Sequence, residues 1–285
     1  MATNSKDDRL AVLIDADNIS NKYLKCMMEE IARYGNPTIK RIYGDWTRPN
    51  LAGWKTLLLD NALTPVQQFS YTSGKNSTDS ALIIEAMDIL YSGEIDAFCL
   101  VSSDSDFTRL ATRLREAGKM VYGIGEEKTP IPFVKACDRF IFLEVLAADE
   151  AAETEEEVVA TSRKNSESKN QRNNKQEKNQ QRRAIRQIDY PLVQLIIQSI
   201  EDLCDDNGWA YLGDLGNLLV KKQPSFDTRV YGYKQLNKLL EALPYFEMER
   251  RETSSNFQNT RHVFVRVKDS VLANIGTGHK LEFVF

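Results

Sequence analysis

Six short strand-like runs, at residues 10–15, 38–44, 64–69, 96–102, 119–124 and 139–143, alternate with helix-like segments near 19–34, 50–61, 77–92, 106–117 and 130–136. Few folds accommodate that order. The first run, Leu10 to Ile14, is apolar throughout and reads as a strand buried on both faces. The pattern predicts an α/β domain with a parallel sheet sandwiched by helices. Turn residues agree, with Gly35-Asn36-Pro37 after the first helix, Gly93 after the third and Gly118 after the fourth.

Carboxylates gather where such a sheet binds ligands, beyond the carboxyl ends of its strands. Asp15 ends the first run and is followed by Asp17 and Asn18; Asp104 and Asp106 follow the fourth, in Ser102-Ser103-Asp104-Ser105-Asp106-Phe107. Asp79 opens the helix 77–92. Leu82, Ile83, Ala86 and Leu90 recur behind it at helical spacing, which puts Asp79 on the buried face and turns Glu85 and Asp88 to solvent. Asp104 or Asp106 suits a cap of the next helix, and Asp17 or Asn18 a cap of the first. Capping explains neither Asp15 before its turn nor Asp79 on an apolar face. Together the four acids predict a hard cation, Mg²⁺ or Mn²⁺, since carboxylates in one pocket otherwise repel.

Histidine narrows the chemistry. The only two are His262 and His279, so the acid-rich half cannot assemble a Ser-His-Asp or Cys-His group or a His-liganded zinc. Cys26, Cys99, Cys137 and Cys204 form no CxxC pair, and Cys99 and Cys137 read as core. No apolar run is long enough to span a membrane, and Met1 to Arg9 lacks a signal-peptide core. A cytoplasmic, reducing setting is expected.

Composition changes after Leu146. Residues 147–188, acidic to Glu157 and then rich in Asn, Gln, Lys and Arg, are expected to form a disordered linker whose basic part could track a phosphate backbone. A second domain is expected over 189–268: helices from Pro191 to Asp206, Gly213 to Lys221 and Gly232 to Leu243, then strands Tyr245–Arg250 and His262–Val267 around a polar loop, a winged-helix-like α+β unit. Its basic side chains Lys221, Lys222, Arg229, Lys234, Lys238, Arg250, Arg251 and Arg261, near the wing, can reach phosphates, and Tyr233 is a ring that could stack on a base. The tail, 269–285, ends in Leu281-Glu282-Phe283-Val284-Phe285, which suits an added strand or a protein partner.

Leu13-Ile-Asp-Ala-Asp-Asn18, the Lys75…Asp79 segment, Tyr43-Gly44-Asp45-Trp46, Ser102 to Phe107 and Val121-Tyr122-Gly123-Ile124-Gly125 resemble the NYN domain, a PIN-like, LabA-like nuclease relative, over 10–146. The resemblance implies a PIN-like (Rossmann-like) sheet. It maps Asp15, Asp79, Asp104 and Asp106 onto acidic metal-binding and catalytic positions and Asn18 onto the polar residue beside them; Ser103 is a further candidate supporting polar residue of this chain. Where the family commonly has Ser-Gly-Asp, this chain has Ser102-Ser103-Asp104. The implied chemistry is metal-assisted hydrolysis of a phosphodiester, with Lys75 as a candidate phosphate contact. Phe226 to Tyr233, with Leu236, Leu239, Leu240 and Pro244-Tyr245-Phe246, resemble the OST-HTH (LOTUS) domain, which implies RNA binding and sometimes a protein partner.

A metal-dependent ribonuclease is therefore expected. The competing readings are a catalytically idle RNA-binding adaptor and, further off, a haloacid-dehalogenase-like phosphatase, for which Asp15-Ala16-Asp17 would supply nucleophile and acid/base.

Overall fold

Leu10, Val12 and Ile14 have no exposed surface, because strand β1 (Arg9–Asp15) lies in the middle of a six-stranded sheet. The computed structural model describes residues 8–69, 77–162, 186–255, 258–269 and 271. The chain divides into two units, Met1–Glu167 and Ser168–Phe285.

The first unit's other strands are β2 (Asn36–Gly44), β3 (Thr64–Gln67), β4 (Ala97–Val101), β5 (Met120–Gly125) and β6 (Arg139–Phe142). All pairings are parallel, in the order β3-β2-β1-β4-β5-β6. The chain winds outward from β1 to β3, then restarts on the other side at β4. The crevice where this winding reverses opens at the carboxyl ends of β1 and β4.

Among the described residues the helices that accompany the sheet are α1 (Leu24–Ile31), α2 (Ala52–Leu58), α3 (Ser77–Ser92), α4 (Thr108–Glu116), α5 (Ile131–Ala136) and α6 (Leu143–Ser162). Leu10, Val12 and Ile14 join Met27, Ile31 and Trp54 in one core layer. Alternation sends Ala11 and Leu13 to the opposite face. Phe107, Phe133 and Phe140 form a chain of ring contacts elsewhere in the unit.

The first helix is shorter than its sequence pattern predicts. Ser20 is extended and Asn21–Tyr23 make a 3-10 turn before α1. Strand β2 starts early and includes Pro37, opposite Leu10, where the register with β1 shifts. Proline has no N–H to give a ladder, and β3 pairs only with Arg41–Gly44, so the position is tolerated. Gly35 is obligatory for another reason: a Cβ there would sit 2.6 Å from the Asp8 carbonyl oxygen.

The expectation of disorder from residue 147 is corrected, because α6 carries the acidic stretch on to Ser162. Alanine and glutamate are strong helix formers, and α6 contains neither glycine nor proline. Leu146 and Ala152 are buried, and Glu150 pairs with Lys25 at 2.9 Å. The rest of the expected linker, 163–185, lies outside the described residues, as do Lys75 and the tail from 272.

The second unit contains α7 (Tyr190–Glu201), β7 (Ala210–Tyr211), α8 (Leu212–Lys222), α9 (Leu236–Glu241), β8 (Phe246–Ser255) and β9 (Gln258–Val267). Its strands form an antiparallel sheet in the order β7-β9-β8. Asp189 caps α7 by accepting from the Leu192 N–H at 3.0 Å. The helix expected from Gly232 begins only at Leu236: Thr228–Tyr231 form a 3-10 turn that ends at Gly232, whose φ of 83° suits glycine. The hairpin is longer than expected, because Glu252–Ser255 pair with Gln258–Arg261 where a polar loop was predicted.

Candidate metal centre

Asp15 is the last residue of β1 and is fully buried. One carboxylate oxygen accepts from Asn18 Nδ2 at 2.6 Å and from Ser102 Oγ at 2.8 Å; the other accepts from the Asp17 N–H at 3.2 Å. Ser102 Oγ also accepts from the Asp104 N–H at 3.1 Å, so one hydroxyl ties the end of β1 to the loop after β4. Burial raises the Asp15 pKa, while the hydrogen bonds from Asn18 and Ser102 oppose that rise.

The loop after β4 is fixed at several points. Asp104 is extended, and its carboxylate accepts from the Asp106 N–H at 2.9 Å, capping the 3-10 turn Ser105–Phe107. Phe107 anchors that turn in the core. Ser103 Oγ accepts from the Glu126 N–H at 2.8 Å, which fastens the loop to the end of β5. A Cβ on Gly125 would lie 2.5 Å from the Ser102 carbonyl oxygen, so the close approach of these two strand ends requires glycine.

Helix α3 brings the third element. Asp79 lies in its first turn and is 8% exposed, as the apolar spacing predicts. Asp79, Asp104 and Asp106 each offer a carboxylate oxygen, all within 4.8 Å of one another. Burial pushes the Asp79 pKa up to about 6, and the charges of Asp15, Asp104, Asp106 and Asp17 add to the rise. Among the described residues no cation pairs with Asp79. Three hard oxygen donors without nitrogen or sulfur fit Mg²⁺ or Mn²⁺.

Asp15 is not one of these three. It stands close enough to be the largest charge acting on Asp79, but its oxygens are engaged by Asn18, Ser102 and the Asp17 N–H. A nucleophile must reach its substrate, and Asp15 has no exposed surface, so the phosphatase reading gains nothing from the geometry. Glu85, expected in solvent, is instead held over the sheet: it accepts from Tyr43 Oη at 2.5 Å and pairs with Arg41 at 3.2 Å. Helix α3 packs against β1 and β2, which brings that side chain over β2.

Two contributors escaped the sequence reading. Ser102 bridges the strand ends, and Thr78 Oγ1 donates to Asp17 Oδ2 at 2.9 Å. Thr78 has a weak signal, its place beside Asp79; nothing in the sequence pairs it with Asp17, which reads there as a cap of the first helix.

In the second unit, the basic residues nominated for RNA divide. Arg229 is locked onto Asp227 by Nε to both oxygens at 3.0 Å and by Nη2 at 2.6 Å, with 13% of its side chain exposed. Arg251 lies over the rings of Trp209 and Phe264, 5.1 and 4.5 Å from their centroids. Lys221, Lys234 and Arg250 are exposed, as are Lys222 and Lys238, which pair with Asp202 and Glu241. Tyr233 is half-buried. The side chain of Arg261 lies outside the described residues.

Among the described residues no helix is long and apolar enough to cross a membrane. Residues 9–144 match the NYN domain and residues 184–257 match the OST-HTH/LOTUS domain. A comparison with curated proteins finds no match. Among solved structures, a protein of unknown function from Vibrio parahaemolyticus is similar over 49% of this chain and 94% of its own, at 17% identity and a TM-score of 0.40. An uncharacterized protein from Nitrosomonas europaea is similar over 29% of this chain and 76% of its own, at 35% identity and a TM-score of 0.25. With its six-stranded parallel sheet and its small helical unit with an antiparallel sheet, the chain is an NYN domain followed by an OST-HTH/LOTUS domain.

Proposed function

We propose that this protein is a metal-dependent ribonuclease that hydrolyses RNA phosphodiester bonds, with the OST-HTH unit recruiting the RNA. One observation carries the reading: Asp79, Asp104 and Asp106 converge beyond the ends of β1 and β4 and, among the described residues, no cation pairs with Asp79. The two domain types, one nuclease-like and one RNA-binding, support the same reading. A divalent ion in such a site supplies an activated water and polarises the phosphoryl oxygen.

The chain's own residues prepare that chemistry. Asp79, Asp104 and Asp106 bind and orient; Asp15, Asn18 and Ser102 hold the two strand ends at a fixed separation; Ser103 braces the loop against β5. No side-chain nucleophile is required, which suits a half of the chain without histidine. In the second unit, the exposed Lys221, Lys234 and Lys238 and the half-buried Tyr233 are the groups assigned to RNA. The C-terminal tail is left as a candidate protein contact.

The test is cleavage of a labelled single-stranded RNA pool with Mn²⁺, with Mg²⁺ and with EDTA, beside Asp15→Asn and Asp104→Asn. Metal-dependent products that vanish in both variants are expected. RNA bound but uncut under every metal, equally by wild type and variants, would favour the adaptor instead.

A further inference from the structure

Three carboxylates that repel one another will not stay aimed at a common point unless something holds them. Asp104 and Asp106 share a capped turn. Asp79 arrives on a separate element, near the start of α3, and its own carboxylate makes no hydrogen bond among the described residues. The residue before it is the buried Thr78, 6% exposed, whose hydroxyl donates to Asp17 Oδ2 at 2.9 Å. Asp17 is itself fastened, since its N–H donates to Asp15 at 3.2 Å.

We propose that Asp17 is a positioning residue whose carboxylate latches the start of α3 through Thr78 and so aims Asp79 at Asp104 and Asp106. The inference rests on the reading of these three acids as a cation site. Its geometry is specific. Asp79 lies in the first turn of α3, where a helix frays, and fraying would release it from the face it shares with Leu82 and Ala86. The latch holds that turn from outside the helix, on the segment that follows Asp15 and also carries Asn18. It therefore joins β1 to α3 just as Ser102 joins β1 to β4. Asp17 stays outside the trio, exposed to solvent, and contributes its hydrogen bond rather than a ligand atom.

Partners that orient metal ligands typically contribute about 10- to 100-fold in affinity. The experiment is Mn²⁺ titration of the full chain at pH 7, reading free Mn²⁺ by electron paramagnetic resonance, with thermal unfolding to confirm that each variant is folded. Asp17→Ala and Thr78→Val are each expected to bind about 10-fold more weakly, and the double variant no more weakly than either alone. Asp17→Asn keeps the acceptor and Thr78→Ser the donor, so both are expected to stay within about threefold of wild type. If Asp17→Ala does not fold, the Thr78→Val and Thr78→Ser pair decides. Asp79→Asn separates the two levels of the argument. Wild-type affinity in Asp79→Asn, or no Mn²⁺ binding by wild type, would remove the cation site and the latch together. Lost binding in Asp79→Asn beside full binding in Asp17→Ala or Thr78→Val would remove the latch alone. Asp17→Asn as weak as Asp17→Ala would assign the effect to charge and overturn the hydrogen-bond latch.

Discussion

Asp79 and Asp227 are both largely buried carboxylates at the start of a helical segment, yet their surroundings are opposite. Asp227 accepts from the Arg229 N–H at 2.9 Å and holds the same residue's guanidinium against both its oxygens. Asp79 is surrounded by Asp15, Asp17, Asp104 and Asp106. The contrast holds inside the NYN unit too: buried Glu30 pairs with Arg33 and accepts from Tyr34, and buried Asp45 accepts from Thr47 and Gln67 and pairs with Arg48. Glu30, Asp45 and Asp227 are each paired with a cation or hydrogen-bonded by neighbouring side chains. At the β1/β4 crevice acids gather instead, and their repulsion is relieved either by protonation of Asp79, whose pKa is raised, or, on the proposed reading, by a cation from solution.

The largest effect that would sharpen this contrast is catalytic. Asp104→Asn removes the charge of one of three carboxylates and is expected to lower Mn²⁺-dependent RNA cleavage by at least about 100-fold, as loss of several kcal/mol of metal-borne stabilisation requires. Single-turnover cleavage measures it, and a change of less than about threefold would break the assignment.

Next comes the paired acid. Arg229→Ala leaves Asp227 without its counter-ion and is expected to cost about 3 kcal/mol in urea unfolding of the second unit. A neutral result would show that the unit does not depend on the pair, and the comparison with Asp79 would lose its structural pole.

The pH response follows from the sign of the Asp79 shift. Its folded pKa, about 6, lies above the ordinary 3.8, so the metal-free fold favours the protonated form. That contribution is fully present below about pH 4 and is lost as pH rises through about 6. Mn²⁺ competes with the same proton, so its affinity is expected to fall as pH drops below about 6. A Mn²⁺ titration series from pH 5 to 8 tests this; a flat profile would separate Asp79 from the cation.

The smallest effect belongs to the exposed lysines. Lys234→Ala is expected to weaken RNA binding by about two- to threefold and to reduce the salt slope by up to about 1. Fluorescence anisotropy at several salt concentrations reads both, and an unchanged slope would move the RNA surface elsewhere.

The sheet was legible because parallel strands covered on both faces leave continuous apolar runs such as Leu10 to Ile14. Asp79 was legible through the spacing of Leu82, Ala86 and Leu90. Features that depend on tertiary crossing were not: Glu85 turns inward only because α3 packs against β2, and Ser102 and Thr78 acquire partners from distant elements. Strand β7 has two residues and no periodicity to read. The polar arms of the β8–β9 hairpin carry no apolar alternation, so backbone pairing alone marks them. Helix α6 misled for a different reason: its glutamates and alanines read as a charged, solvated run, although the same residues favour a helix.

The most direct test of the central claim is the unfolding stability of wild type and Asp79→Asn at pH 7, each with EDTA and with saturating Mn²⁺. Without metal, Asp79→Asn is expected to be more stable by about 1–3 kcal/mol, since it removes a buried charge held among like charges. With Mn²⁺ the order is expected to reverse, because only the intact trio gains the binding free energy. If Asp79→Asn is the less stable protein in EDTA and Mn²⁺ shifts both proteins equally, the three acids are not waiting for a cation and the account fails.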